Sequence, residues 1–168
     1  AYVRVYASDG SIEWTRQFGT GAEDFATDVA VDDSDAIIVV GYTRGTLASG
    51  GSGATDPEAF VRKYDGERTV LWTRQFGTDQ EDSPAAVSVG SSGTIVLAGS
   101  TRGALGGPHA GGDDAFVRKY DSGGSSLWTV QYGGVSADFA NDVAVGDMDV
   151  VLVVGSTSTG APSYDADA

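Results

Sequence analysis

Three stretches of this chain are near copies of one another. Ala1-Tyr2-Val3-Arg4-Val5-Tyr6 returns as Ala59-Phe60-Val61-Arg62-Lys63-Tyr64 and as Ala115-Phe116-Val117-Arg118-Lys119-Tyr120. The same two offsets relate Trp14-Thr15-Arg16-Gln17-Phe18-Gly19 to the segments beginning at Trp72 and Trp128, and Gly41 to Gly99 and Gly155. Self-similarity at this period constrains the fold strongly, because each unit is one supersecondary element that buries its faces only against its neighbours. Units 1–58, 59–114 and 115–168 are therefore expected to build a single domain.

The middle unit reads as four strands. Phe60 to Tyr64 is short and carries Arg62 and Lys63, which suits exposure; Asp65-Gly66 is a hairpin signal; Val70 to Phe76 follows. In this second strand Trp72, Arg74 and Phe76 share one face, and Gln75 lies on the other. Ala85 to Val89 alternates as a third strand, and Thr94 to Gly99 is the fourth. The fourth strand and its counterparts, Ala36 to Val40 and Val150 to Val154, show an unbroken aliphatic run, which implies burial on both faces. A four-stranded antiparallel sheet that needs a sheet on each side, repeated radially, is a β-propeller blade. The expected fold is thus all-β, a β-propeller segment of three 56–58-residue repeats.

The repeats and the blades are expected to be out of phase. With the Val-Ala-Val hairpin supplying the two inner strands, complete blades span roughly 25–77 and 83–133. Residues 1–19 are then an outer hairpin without its inner half, and 139–158 an inner hairpin without its outer half. Three units fall short of the four to eight blades of a closed propeller. The expected partners are further repeats of a longer parent chain or copies of this chain, and Ala168 stands at a repeat boundary.

The pattern Ala-Phe-Val-Arg-Lys-Tyr-Asp, then Leu-Trp-Thr-Arg-Gln-Phe-Gly, then Val-Ala-Val before an aliphatic strand, resembles the bacterial and archaeal seven-bladed β-propeller repeat family over essentially the whole chain. The resemblance implies an extracellular or surface-anchored scaffold and supplies no catalytic residue.

Charge narrows the partners. The net charge is −14, from 19 Asp and 5 Glu against 8 Arg and 2 Lys. That field repels phosphate backbones, so nucleic acid is not expected as a partner. No apolar run approaches the roughly 18 residues of a membrane span, so no membrane insertion is expected. The Asp-rich, Lys-poor balance suits a halophilic habitat, where 1 M salt screens charges within roughly 3 Å, or an extracellular protein that binds divalent cations. Cysteine is absent, which excludes disulfides and thiolate metal sites.

Asp24, Asp82 and Asp138 recur seven residues after the repeated Gln, in the loop before the third strand. They are candidate Ca²⁺ ligands, one per unit; the structural alternative, acceptance of loop N–H groups, is preferred. Glu58, Asp114 and Asp167 form a second acidic column, with Asp56, Asp113 and Asp165 nearby. The aspartates of Asp32-Asp33-Ser34-Asp35 and Asp147-Met148-Asp149 lack EF-hand spacing and read as hairpin turns. Gln17, Gln75 and Gln131 are expected to hydrogen-bond between blades, and Trp14, Trp72 and Trp128 to pack between them. Arg4, Arg62 and Arg118 suit stacking on aromatics or pairing with the acidic columns. His109 is the sole histidine and falls in a Gly-rich loop. No catalytic constellation and no cofactor motif is present, calcium being the one ion the pattern would suit. The expected function is a non-enzymatic extracellular or cell-surface module that presents loops for adhesion, recognition or assembly to a protein or glycan ligand. The alternatives are a subunit of an extracellular filament or virion, and a fragment of a propeller enzyme such as a polysaccharide lyase or glycoside hydrolase.

Overall fold

A computed structural model describes residues 1–51 and 55–158. Asp165, Asp167, Ala168 and part of the Gly51-Ser52-Gly53 linker lie outside the described residues. Twelve strands form, at Tyr2–Tyr6 (β1), Ile12–Gln17 (β2), Asp24–Val31 (β3), Ile37–Thr43 (β4), Glu58–Tyr64 (β5), Val70–Phe76 (β6), Asp82–Val89 (β7), Ile95–Thr101 (β8), Asp114–Tyr120 (β9), Ser126–Tyr132 (β10), Asp138–Val145 (β11) and Val151–Thr157 (β12). One 3₁₀ turn, Asp147–Asp149, is the only helical element among the described residues.

All pairing is antiparallel and falls into four sheets. Two are complete, ordered β3-β4-β5-β6 and β7-β8-β9-β10; two are single hairpins, β1-β2 and β11-β12. Sheets therefore cut across the sequence repeats at the expected phase. The sheets pack face to face in chain order. Val3, Ile37, Val39, Phe60 and Tyr64 fill the first interface, with Trp14 and Phe18 against them. Ile38, Val40, Val61, Phe76, Val87, Ile95, Leu97, Phe116 and Tyr120 fill the second. Val96, Ala98, Val117, Ala140 and Val143 fill the third.

These clusters explain the aliphatic strands. Side chains alternate across a strand, so Ile95 and Leu97 of β8 face one neighbouring sheet while Val96 and Ala98 face the other. Both rows are buried, which is why Ile95 to Ala98 is aliphatic without alternation. The expectation of two-sided burial fails in the third copy. Leu152 and Val154 of β12 are 56% and 63% exposed, whereas their equivalents Val96 and Ala98 are fully buried, because no further sheet covers that face.

One other expectation needs correction. The Phe60–Tyr64 strand is not an exposed edge. β5 lies inside its sheet, β9 likewise, and both are buried along nearly their whole length. Lys63 and Lys119, the chain's two lysines, are buried and ion-paired, to Asp32 and Asp149 at 2.9 Å each. The Asp65-Gly66 signal does mark a hairpin, β5–β6. Its left-handed residue is Arg68, at φ 68°, where the other copies place Gly10 and Gly124. The β5–β6 turn is held by Arg68 N–H donating to Asp65 O and Asp65 N–H donating to Thr69 O.

Candidate functional site: the loop clamps and the open ends

The repeated aspartates open β3, β7 and β11 rather than lying free in the preceding loop. Asp82 is fully buried; its carboxylate accepts from the Thr78 amide and the Thr101 hydroxyl, both at 2.5 Å. Asp24 repeats this with Thr20 and Thr43, each at 2.6 Å, and Asp138 accepts from the Gly134 amide at 2.7 Å. Their backbones also tie sheets together: Asp82 N–H donates to Pro57 O, and Asp138 N–H to Asp113 O. Burial pushes the Asp82 carboxyl up despite the hydrogen bonds from Thr101 and Thr78 that pull it down, and the Glu58 charge adds to the rise. The three aspartates belong to three different sheets and are not brought together. Among the described residues no cluster of three acidic or histidine side chains is arranged for a metal ion.

The second acidic column joins the repeated glutamines within one sheet, which corrects the inter-blade assignment. Gln75 Oε1 accepts from the Leu47 and Ala48 amides, and its Nε2 donates to Gly45 O and to Glu58 at 2.5 Å. Gln131 repeats the set with Leu105, Gly106, Gly103 and Asp114. Each glutamine thus folds the β4–β5 or β8–β9 loop back onto the end of its own sheet. Gln17 is exposed, because its hairpin has no inner strands and hence no such loop. The contrast gives a test: Gln75→Ala strands several buried partners and is expected to cost about 2 kcal/mol, whereas Gln17→Ala should stay within about 0.5 kcal/mol. Urea melts of the two variants check this, and equal effects would refute the clamp.

Sheet-to-sheet packing follows the expected aromatics. Trp14 meets Tyr64 edge-on at 5.6 Å, and Trp72 reaches the β9–β10 turn, donating from Nε1 to Ser122 O. A Cβ on Gly124 would lie 2.9 Å from the Trp72 ring, so the turn seats the indole only as glycine. Arg62 stacks over Phe18 at 4.3 Å and Arg118 over Phe76 at 4.4 Å; stacking, not ion pairing, is their role. Polar bonds reinforce the junction between the complete sheets. Thr27 Oγ1 donates to Pro84 O, and Val87 N–H donates to the Asp28 carboxylate, both at 2.8 Å. The Asp32 and Asp149 turns hold the buried lysines as well as closing hairpins, a role that turn composition does not signal. His109 is exposed, its ring Nε2 2.7 Å from Gly112 O.

The two ends stand open. A cleft of about 660 Å³ runs between β1 and the outer face of β3, lined by Val3, Val5, Phe25, Val29, Val31 and Val39 among others. Val29 is 53% exposed there, while its copies Val87 and Val143 are buried against a preceding sheet. At the far end the Leu152–Val154 row and Trp128 are exposed.

No family model matches this chain. The chain is 31% identical over 162 residues to a protein of Caulobacter vibrioides named regulatory protein FlaEY; the match covers 91% of this chain and 16% of that protein. The chain thus spans about a sixth of the length of the relative it matches.

Proposed function

We propose that this chain is a β-propeller segment of the seven-bladed β-propeller repeat kind, serving as a non-enzymatic extracellular or cell-surface module. The observation that supports this best is the recurrence of one junction. The same positions, first-strand aromatics, second-strand Trp and fourth-strand aliphatics, meet at the first two sheet interfaces, and the fourth-strand aliphatics meet the next sheet again at the third. Sheets of one strand order succeeding one another in this way favour radial repetition. The binding surface is the pair of glutamine-clamped loops after β4 and β8, which differ in length between repeats while the strands do not. Clamping fixes the loop base and leaves its tip to vary, as a recognition surface requires. The relative's name, a regulatory protein, accords with a module acting through a bound partner. The surplus of aspartate suits a high-salt exterior.

Two readouts test this. An antibody against the folded chain should label intact cells of the source organism as strongly as permeabilised ones; labelling only after permeabilisation overturns the surface assignment. A panel of polysaccharides incubated with the full parent protein should release no reducing ends above buffer, and release would favour the lyase or glycosidase alternative.

A further inference from the structure

Where β9 of the second complete sheet meets β11, the aspartate clamp is stripped of its donors. Asp114 stands where the preceding junction has Glu58, and Gly134 where it has Thr78. Asp82 accepts at both carboxylate oxygens, from the Thr78 amide and hydroxyl and from the Thr101 hydroxyl. Asp138 keeps the Gly134 amide at its Oδ2. Gly134 brings no hydroxyl, and the hydroxyl of Thr157, in the place of Thr101, donates to Ser158 O. The Asp114 carboxylate is fully buried. Its Oδ2 accepts from the Ala110 amide at 2.9 Å and from Gln131 Nε2 at 2.8 Å. Its Oδ1 is buried as well and, among the described residues, accepts no hydrogen bond.

The two carboxylates flank one dipeptide. Asp114 Oδ1 rests against Gly133, where a Cβ would overlap it, and Asp138 Oδ2 bonds the next amide. Asp138 N–H also donates to Asp113 O at 2.6 Å, which sets the two acidic strand starts side by side across the sheet boundary. The preceding junction is built alike: a Cβ on Gly77 would lie 2.7 Å from Asp82 Oδ2 and 3.1 Å from Glu58 Cγ. Among the described residues no basic side chain pairs with Asp114 or Asp138. Lys63 and Lys119 hold Asp32 and Asp149, and Arg102 holds Glu81 and Asp113. Buried charges are paired or coordinate a metal. We propose that Asp114 and Asp138 are the carboxylate ligands of a Ca²⁺ ion that ties the second complete sheet to the β11–β12 hairpin. Calcium suits the site because its charge neutralises the pair, and because it takes carboxylates together with backbone oxygens and water in flexible geometry. Two carboxylates place the affinity in the weak range of extracellular modules, with Kd about 10⁻⁴–10⁻³ M. At Asp24 and Asp82 threonine donors fill the carboxylates instead, so one such site is expected in the chain.

Isothermal titration of the chain with CaCl₂ should show one site in that range. Thermal melts should rise with CaCl₂ and much less with MgCl₂ at the same ionic strength, because magnesium demands near-ideal octahedral geometry. Asp114→Asn and Asp138→Asn keep the side-chain shape, and each should weaken calcium binding about 10-fold or more, since affinity follows the ligand charge. Asp24→Asn, at a carboxylate already filled by Thr20 and Thr43, should leave calcium affinity unchanged. With a chelator present, Asp114→Asn should melt at or above the temperature of the unaltered chain, because it removes a buried charge that lacks a counter-ion. Equal shifts with calcium and magnesium would mark screening of the −14 net charge and overturn the site. A calcium response that survives undiminished in both asparagine variants would place the ion elsewhere and overturn it too. No response in the unaltered chain would show that a proton, and not a metal, neutralises the pair.

Discussion

Gly99→Ala is expected to lower the melting temperature by about 10 °C or more. β8 is an inner strand of its sheet, paired to β7 on one side and β9 on the other. Opposite Gly99 the β7 strand bulges between Pro84 and Ala86, and the bulge turns the Ser83 carbonyl toward Gly99. A Cβ there would lie within the van der Waals envelope of that oxygen and 2.6 Å from Pro84 Cα. Backbone must move, and both ladders of β8 move with it. Overpacking of a well-packed interior costs roughly 1–3 kcal/mol and occasionally more; with two ladders disturbed about 4 kcal/mol is expected. For a chain of this size each kcal/mol is worth about 2–4 °C. Gly41 and Gly155 face Phe25 and Phe139 carbonyls across the same bulge, so the glycine is a requirement of the unit. Gly155→Ala should cost less, because β12 is covered on one face only. Thermal melts of the three variants decide; a Gly99→Ala melt within about 2 °C of the unaltered chain would refute the steric argument.

The phase of the sheets is legible in the sequence because it follows from local signals: strand alternation, fixed offsets and a doubly apolar fourth strand. What is not legible depends on contacts between distant residues. Lys63 reads as solvent-facing, since a charge in a short strand ordinarily is. Its partner Asp32 belongs to the preceding repeat and is brought across β4 by sheet order alone. Gln75 bonds the loop that precedes β5, and only the fold shows that this loop returns to the end of β6. The exposed face of β12 escapes for the opposite reason: its sequence matches β4 and β8, but burial is a property of the neighbour. Among the aspartates a signal exists. A Thr stands four residues before Asp24 and Asp82, the spacing of a carboxylate that accepts the loop's amide and hydroxyl.

Lys63→Met should destabilise the chain by about 2 kcal/mol at neutral pH, with much less effect in acid. The substitution keeps the apolar stem in its slot and removes the ammonium from a pair whose two side chains are each only 7% exposed. Breaking a buried pair from one side costs roughly 3–5 kcal/mol. The lower figure applies because the Asp32 carboxylate keeps its bonds from the Ser34 amide and hydroxyl and the Ala36 amide. Burial by itself would push the Asp32 carboxyl up. The Ser34 hydroxyl, Lys63 and the Ala36 and Ser34 amides outweigh burial and hold the carboxyl well below its ordinary value. A carboxyl depressed on folding adds stability above its unfolded value, about 3.9, and that contribution is lost as pH falls toward the folded value. The unfolded carboxyl is the same in both proteins, so the gap is set by the two folded values. Lys63→Met raises the folded value, and the gap should be full at pH 7 and close only as pH falls below the variant's folded value toward that of the unaltered chain. Asp32→Asn combined with Lys63→Met should recover part of the loss, because no unpaired charge then remains. Lys119→Met should show a smaller effect, since Asp149 sits at an exposed turn where water replaces the ammonium. Urea titrations at pH 7 and at falling pH down to about pH 2 measure all four; a Lys63→Met deficit that persists undiminished to the acid limit would show that packing, not charge, holds this lysine in place.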